Sequence, residues 1–345
     1  MIKFGIGPNS QSPPDGSNIQ QVWQEALIET QVAEEAGFDL AVYTEHHQAA
    51  DGYLPNPLLQ VAAAAAVTNR IQVGSAVMLL SLHNAIQVAE DAFQLDVMSK
   101  GRLFLGVGLG YAPSDFAMYG IPFKQRKSRF EEGLRILQQA IQHEEFSFAG
   151  TRYDVGPIRV TPRPVQQPLP VYVAAWSDVG VERAAQWGNG WITDTINTSA
   201  TLLCWADTYR ATCERERKQP EIILMREAFC GPTRSEAEAQ YAPYILEAHR
   251  MLFSFGGYNP AVEPWMVDVP TAADLQLHHI KDDRFILGDP QDCIEQIEHF
   301  IHNLGATTFI LRFRQASGPS HEEVVEAIRL FGREVIPYFR EKYPA

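Results

Sequence analysis

Short apolar runs alternate with longer stretches of helical spacing along almost the whole chain. The first run, residues 2–7, reads as a buried strand. After a Pro/Gly/Ser loop, Val22, Ala26, Ile28, Val32 and Ala36 recur at the spacing of one helix face, and Gly37 follows as a stop. This predicts a helix over residues 19–36. The same beat then repeats. Strands are predicted at 40–43, 71–80, 103–107, 170–174, 190–193, 221–227 and 307–312. Helices are predicted at 57–67, 85–98, 125–142, 179–187, 200–217, 235–253, 291–303 and 322–341. Residues 146–168 read as a proline-rich β excursion. Residues 254–287 are irregular and longer than most connections in a compact domain, which suits either a lid over a site or a solvated insertion.

Eight strand–helix pairs in order predict an α/β protein built as a closed (β/α)8 TIM barrel. A doubly wound open sheet is the alternative, since eight parallel strands also fit a flat sheet. No linker rich in Gly, Ser or charge divides residues 1–345, so one domain is expected.

Composition narrows the partners. The chain has 345 residues, is 46% hydrophobic and carries a formal net charge of −14, so it offers no basic face for nucleic acid. Cys204, Cys213, Cys230 and Cys293 form no C-x-x-C pair, which favours free thiols in a reducing cytoplasm. No signal-peptide pattern opens the chain, and no apolar run is long enough to span a bilayer, so a soluble cytoplasmic protein is expected.

The strongest chemical signal lies at residues 39–47. The apolar run from Leu40 to Tyr43 stops at Thr44, Glu45, His46 and His47. A buried parallel strand that ends in titratable groups delivers them to the mouth of an α/β fold, and imidazole gives or takes a proton near neutral pH. Gly106, Gly108 and Gly110 follow the fourth strand as G-x-G-x-G, which suits close approach of a ligand or a tight turn. Ser177 or Asp178 caps the helix after strand five, where free amides make an anion site or serve a simple cap. The usual phosphate grip of a barrel, after strands seven and eight, would involve Arg312, Arg314 and Gly318; both positions stay open. His278-His279 reads as surface polarity. Neither histidine pair has metal-ligand spacing, so no metal is expected. Five alanines from Ala62 permit close helix packing, within the barrel or across a subunit contact.

Taken together, several segments resemble the bacterial luciferase-like flavin monooxygenases. They are Glu45-His46-His47; residues 73–80; Glu90-Asp91; Met98-Ser99-Lys100-Gly101-Arg102; Gly106 to Tyr111 with Asp115-Phe116; residues 184–188; residues 288–294; and Ile336-Pro337-Tyr338-Phe339. The resemblance implies a barrel that binds reduced FMN at the C-terminal ends of its strands, with a separate flavin reductase as supplier. It implies reaction with O2 to a C4a-hydroperoxide that oxidises a small organic substrate. It also implies His46 as the catalytic histidine with His47 beside it, and a cis peptide at Ala76-Val77 next to the flavin ring. Glu45, Gly108 and Tyr111 would border the cofactor, Ser177 and Gly180 its phosphate, and residues 254–287 would form a mobile lid. A homodimer through the alanine-rich helix is implied as well.

Three positions depart from the luciferase pattern: Gly108 where it has a reactive cysteine, Leu109 where it has a phosphate-binding arginine, and Trp176 where it has an acid. A lost charge-assisted phosphate contact costs about 1.5–3 kcal/mol unless replaced. Two rivals follow: an F420-dependent hydride-transfer oxidoreductase on the same fold, and a flavin-binding protein without turnover. A metal-dependent barrel hydrolase is disfavoured by ligand spacing.

Overall fold

The computed structural model describes residues 1–254, 256, 258, 260 and 262–344. In chain order it contains β1 (Lys3–Ile6), α1 (Ile19–Glu35), β2 (Leu40–Tyr43), α2 (Pro57–Val67), β3 (Gln72–Met78), α3 (Ala85–Met98) and β4 (Leu103–Val107). Next come α4 (Pro113–Met118), α5 (Arg126–Gln142) and an antiparallel hairpin of β5 (Phe146–Ala149) and β6 (Asp154–Ile158). The second half holds β7 (Val171–Ala174), α6 (Asp178–Trp187), β8 (Gly190–Ile192), α7 (Ser199–Arg215), β9 (Ile222–Cys230), α8 (Arg234–Ser254) and α9 (Leu277–Ile280). It closes with β10 (Ile286–Gly288), α10 (Pro290–Leu304), β11 (Ala306–Arg312), α11 (His321–Glu334) and α12 (Ile336–Lys342).

Eight of the strands form a closed parallel barrel in the order β1-β2-β3-β4-β7-β8-β9-β11. Two pairings decide closure: β8 runs beside β9 with Trp191 opposite Ile222, and β11 runs beside β1 with Phe309 opposite Phe4. The open-sheet alternative is therefore wrong. The barrel interior is packed by side chains such as Leu40, Val42, Phe104, Tyr172, Ile192, Met225 and Ile310. Phe104 and Tyr172 stack at 4.2 Å between centroids. The filled interior leaves the C-terminal mouth as the place for chemistry.

Gly106 lies inside β4, and its glycine has a packing cause. A Cβ there would sit 2.2 Å from the Ser75 carbonyl oxygen, and one at Gly74 would sit 1.8 Å from that of Phe104. β3 and β4 approach so closely that neither position tolerates a side chain. Residues 98–102 are likewise structural. The Arg102 guanidinium donates to the carbonyls of Ala65, Thr68, Ile71 and Ser99 and to Thr68 Oγ1, tying the ends of α2 and α3 to the start of β3.

Three expectations need correction. The helix predicted over 322–341 is two helices, because Pro337 has no amide to donate and its ring collides with the preceding turn. A short helix, α4, precedes α5 where a loop was expected. The stretch 254–287 is not a solvated insertion where it is described. It holds 3-10 turns at Pro264–Val267 and Ala272–Asp274, α9, and β10, which adds to β9 with Leu287 opposite Phe229. Tyr258, Val269, Leu275 and Ile280 are buried, and Arg284 pairs with Glu263 out of solvent. Residues 255, 257, 259 and 261 of the expected lid lie outside the described residues. Among the described residues no helix is long and apolar enough to cross a membrane.

Candidate active site

β2 carries its four buried residues straight into the mouth and then releases Thr44 to His47. Successive side chains leave in opposite directions, as extended backbone requires, and the two histidines end in different environments. The His46 ring is half-buried, 4.4 Å from the Tyr53 ring and 6.4 Å from that of Tyr111. Among the described residues its two nitrogens have no hydrogen-bond partner. Burial, and after it the charge of Arg312, pull its basicity below the usual 6.5, against the opposing pull of Asp115 and Glu45. His46 is therefore neutral at cellular pH, with both nitrogens free for a ligand.

His47 is almost fully buried, and its Nε2 lies 2.7 Å from Glu45 Oε1. The same oxygen lies 2.7 Å from Nε2 of His83, a residue in the turn after β3. The other oxygen, Oε2, accepts the Leu79 amide at 2.7 Å. Glu45 was expected to border the cofactor. Its side chain is wholly buried and both oxygens are taken, so its observed part is to hold two imidazoles and the end of β3. Burial pushes its carboxyl up, but the bonds from His47, His83 and Leu79 outweigh burial and hold it below its ordinary value. Glu45 Oε1 accepts from each Nε2, which fixes the orientation of both rings.

β3 and β4 end as a wall of the mouth. The Ala76–Val77 peptide is cis. A Cβ on Gly108 would lie 2.6 Å from Val77 Cγ2, so the glycine keeps the face of this wall clear. Tyr111 and Trp176, with rings 6.0 Å apart, stand exposed at the rim. Ser177 caps α6 by accepting the Gly180 amide at 3.2 Å. That bond occupies one of the amides expected to meet a phosphate, and the remaining ones open to solvent beside an exposed Ser177.

Of the strand-eight residues, the two arginines go to different places. Arg314 turns away from the mouth to Glu25 at 2.6 Å and Glu29 at 3.2 Å, whereas Arg312 lines a cleft at the mouth with Asn9, Ser10, Thr44 and Tyr53. His278 and His279 pack on each other at 4.0 Å, with His278 exposed, far along the chain from the mouth residues of β2.

Two features escaped the sequence. His83 lies 38 residues from Glu45, in the turn after β3 and beyond the strand's own end. Behind Arg312, the buried Glu227 accepts from Gln315 at 2.8 Å and faces His249 at 3.7 Å, and His249 bonds Tyr258. These partners come from β9, α8, the 254–287 stretch and the turn after β11. Only the position of Glu227 at a strand end hinted at it.

The family model for luciferase-like monooxygenases matches residues 2–308. The chain belongs to that family. It is an oxidoreductase. Among its relatives, the alkanal monooxygenase alpha chain of Photorhabdus luminescens is 22% identical over 99% of this chain and 98% of its own. An F420-dependent glucose-6-phosphate dehydrogenase of Kineococcus radiotolerans is 33% identical over 46% of this chain and 49% of its own. Among solved structures, monooxygenase RslO1 from Streptomyces bottropensis superposes with a TM-score of 0.85 at 25% identity, covering 98% of this chain and all of that one. The oxygenating constituent of 3,6-diketocamphane monooxygenase from Pseudomonas putida, in complex with FMN, gives 0.81 at 20% identity, covering 97% and 98%. The family thus includes both oxygen-inserting and F420-dependent members, and the fold alone does not separate them.

Proposed function

We propose that this protein is an FMN-dependent monooxygenase of the two-component kind, oxidising a small organic substrate with O2. The observation that carries the reading is His46: a neutral imidazole, free at both nitrogens among the described residues, held between Tyr53 and Tyr111 at the mouth. The wall fits a flavin. Gly108 leaves the Val77 face open where any Cβ would fill it, and Tyr111 and Trp176 supply aromatic cover at the rim. The α6 start with Ser177 suits the cofactor phosphate, which would rest on amides and a hydroxyl because position 109 is leucine and Arg183 is bound to Glu131.

Bound reduced flavin supplies the electrons that activate O2, so that one oxygen atom reaches the substrate and the other leaves as water. His46 takes up or returns a proton beside the substrate. Glu45 keeps the His47 and His83 rings in place. Residues 254–287 act as the lid that keeps water out of the mouth. A flavin reductase delivers the cofactor in the cytoplasm. Two copies pair through α2 and α3, whose Leu59, Val67, Val97 and Met98 are exposed apolar side chains.

The F420 reading has its own support in the 33% identical dehydrogenase. Anaerobic titration of the apoprotein with reduced FMN and with reduced F420 separates the two. Tighter binding of FMN is expected. Binding of F420 alone would replace this proposal with hydride transfer.

A further inference from the structure

Apart from Arg312, the arginines enclosed by the fold each make several hydrogen bonds or ion pairs, although the Nε atoms of Arg226 and Arg314 are buried without a partner among the described residues. Arg226 donates to the carbonyls of Asp194, Met225 and Asn197, and Arg284 to Ile196, Ile280 and Glu263. Arg312 differs. Its side chain is only 22% exposed, yet among the described residues its guanidinium donates no hydrogen bond; its nearest acidic partner, Glu227 Oε1, stands 3.8 Å away. A guanidinium that has lost most of its water and gained no acceptor is poised for one.

From this we propose that the cleft between the ends of β1, β2, β9 and β11 binds a carboxylate carried by the organic substrate, with Arg312 as its counter-ion. The guanidinium fork matches two carboxylate oxygens. Tyr53 supplies a further donor: its hydroxyl accepts from Thr44 Oγ1 at 2.8 Å, which leaves its own proton for a ligand. Val42 and Met225 close the floor of this small cleft, so the charged group alone enters it and the carbon skeleton lies toward the open mouth. Glu227 already offsets part of the guanidinium charge, so the site suits a monoanion better than a phosphate dianion. The Tyr53 ring lies against His46, which places the bound acid beside the free imidazole. Around the barrel, β11 is three strands from β7 by the shorter way, so this anion site is separate from the one at the start of α6. The assignment of the anion to a substrate rests on the proposed function; the existence of the site does not.

The test is calorimetric titration of the flavin-free protein with benzoate, benzamide and inorganic phosphate. Benzoate is expected to bind saturably, and more tightly than either of the others. Arg312→Gln is expected to weaken benzoate by about tenfold or more, the loss of a charge-assisted contact, while FMN affinity stays unchanged. Should Arg312→Gln fail to fold, Arg312→Lys is read instead, and weaker benzoate binding than wild type is expected because an ammonium lacks the fork. Equal binding of benzoate and benzamide, preference for phosphate, no benzoate binding, or a variant that binds benzoate as wild type does would each overturn the site. No flavin or O2 enters the titration, so it fails or succeeds independently of the monooxygenase reading.

Discussion

Replacing His46 with alanine is expected to lower turnover by roughly 10²-fold or more, the usual contribution of a positioned acid–base group, while changing flavin affinity little. The reason is geometric. His46 packs on Tyr53 and Tyr111 with no hydrogen bond of its own among the described residues, so its removal costs the fold little and the chemistry much. A second readout comes from pH. Burial and Arg312 depress its basicity, so the neutral form persists down to a pH below 6.5 and activity falls only at lower pH. In His46→Gln that acid limb should disappear. Steady-state rates and flavin titrations on both variants check this. Activity close to wild type in His46→Ala would remove His46 from the mechanism.

Glu45→Gln should show the largest loss of stability, about 2–4 kcal/mol, because an amide cannot accept from three donors with one oxygen and turns its own NH2 toward another donor. The volume is nearly unchanged, so packing does not confuse the result. The carboxyl is held below its ordinary 4.5 in the folded protein. Its contribution is therefore fully present above 4.5 and fades as pH falls through the lower folded value. Urea unfolding at neutral pH and near pH 4 measures both effects. The gap between wild type and variant should be wide at neutral pH and narrower in acid. A gap under about 0.5 kcal/mol at neutral pH would mean that the His47–Glu45–His83 bridge does not stabilise the fold.

Glu45, His46 and His47 were legible because an apolar strand that ends in titratable residues has few other readings. What they do there was less so. Adjacent residues on extended backbone point apart, and only packing reveals that His47 goes inward to Glu45 while His46 stays at the mouth. His83 was hidden because its link to Glu45 spans the β2–β3 crossover. The barrel was legible as eight strand–helix pairs, but its closure depends on β8 meeting β9, a pairing that no local pattern displays. β10 was missed because three residues are too few for periodicity to show. The break at Pro337 was within reach, since proline at that point forbids a continuous helix. The glycines after Leu105 were read as ligand approach or turn; Gly106 serves contact between strands, and only Gly108 borders the open wall.

The central claim is that the mouth of this barrel uses reduced FMN to activate O2. The most direct measurement binds photoreduced FMN to the protein without oxygen and then mixes it with aerated buffer in a stopped-flow spectrometer. A near-ultraviolet band that persists before oxidised flavin appears is the expected result. Immediate return of the oxidised FMN spectrum, at the rate seen for free flavin, would contradict the account.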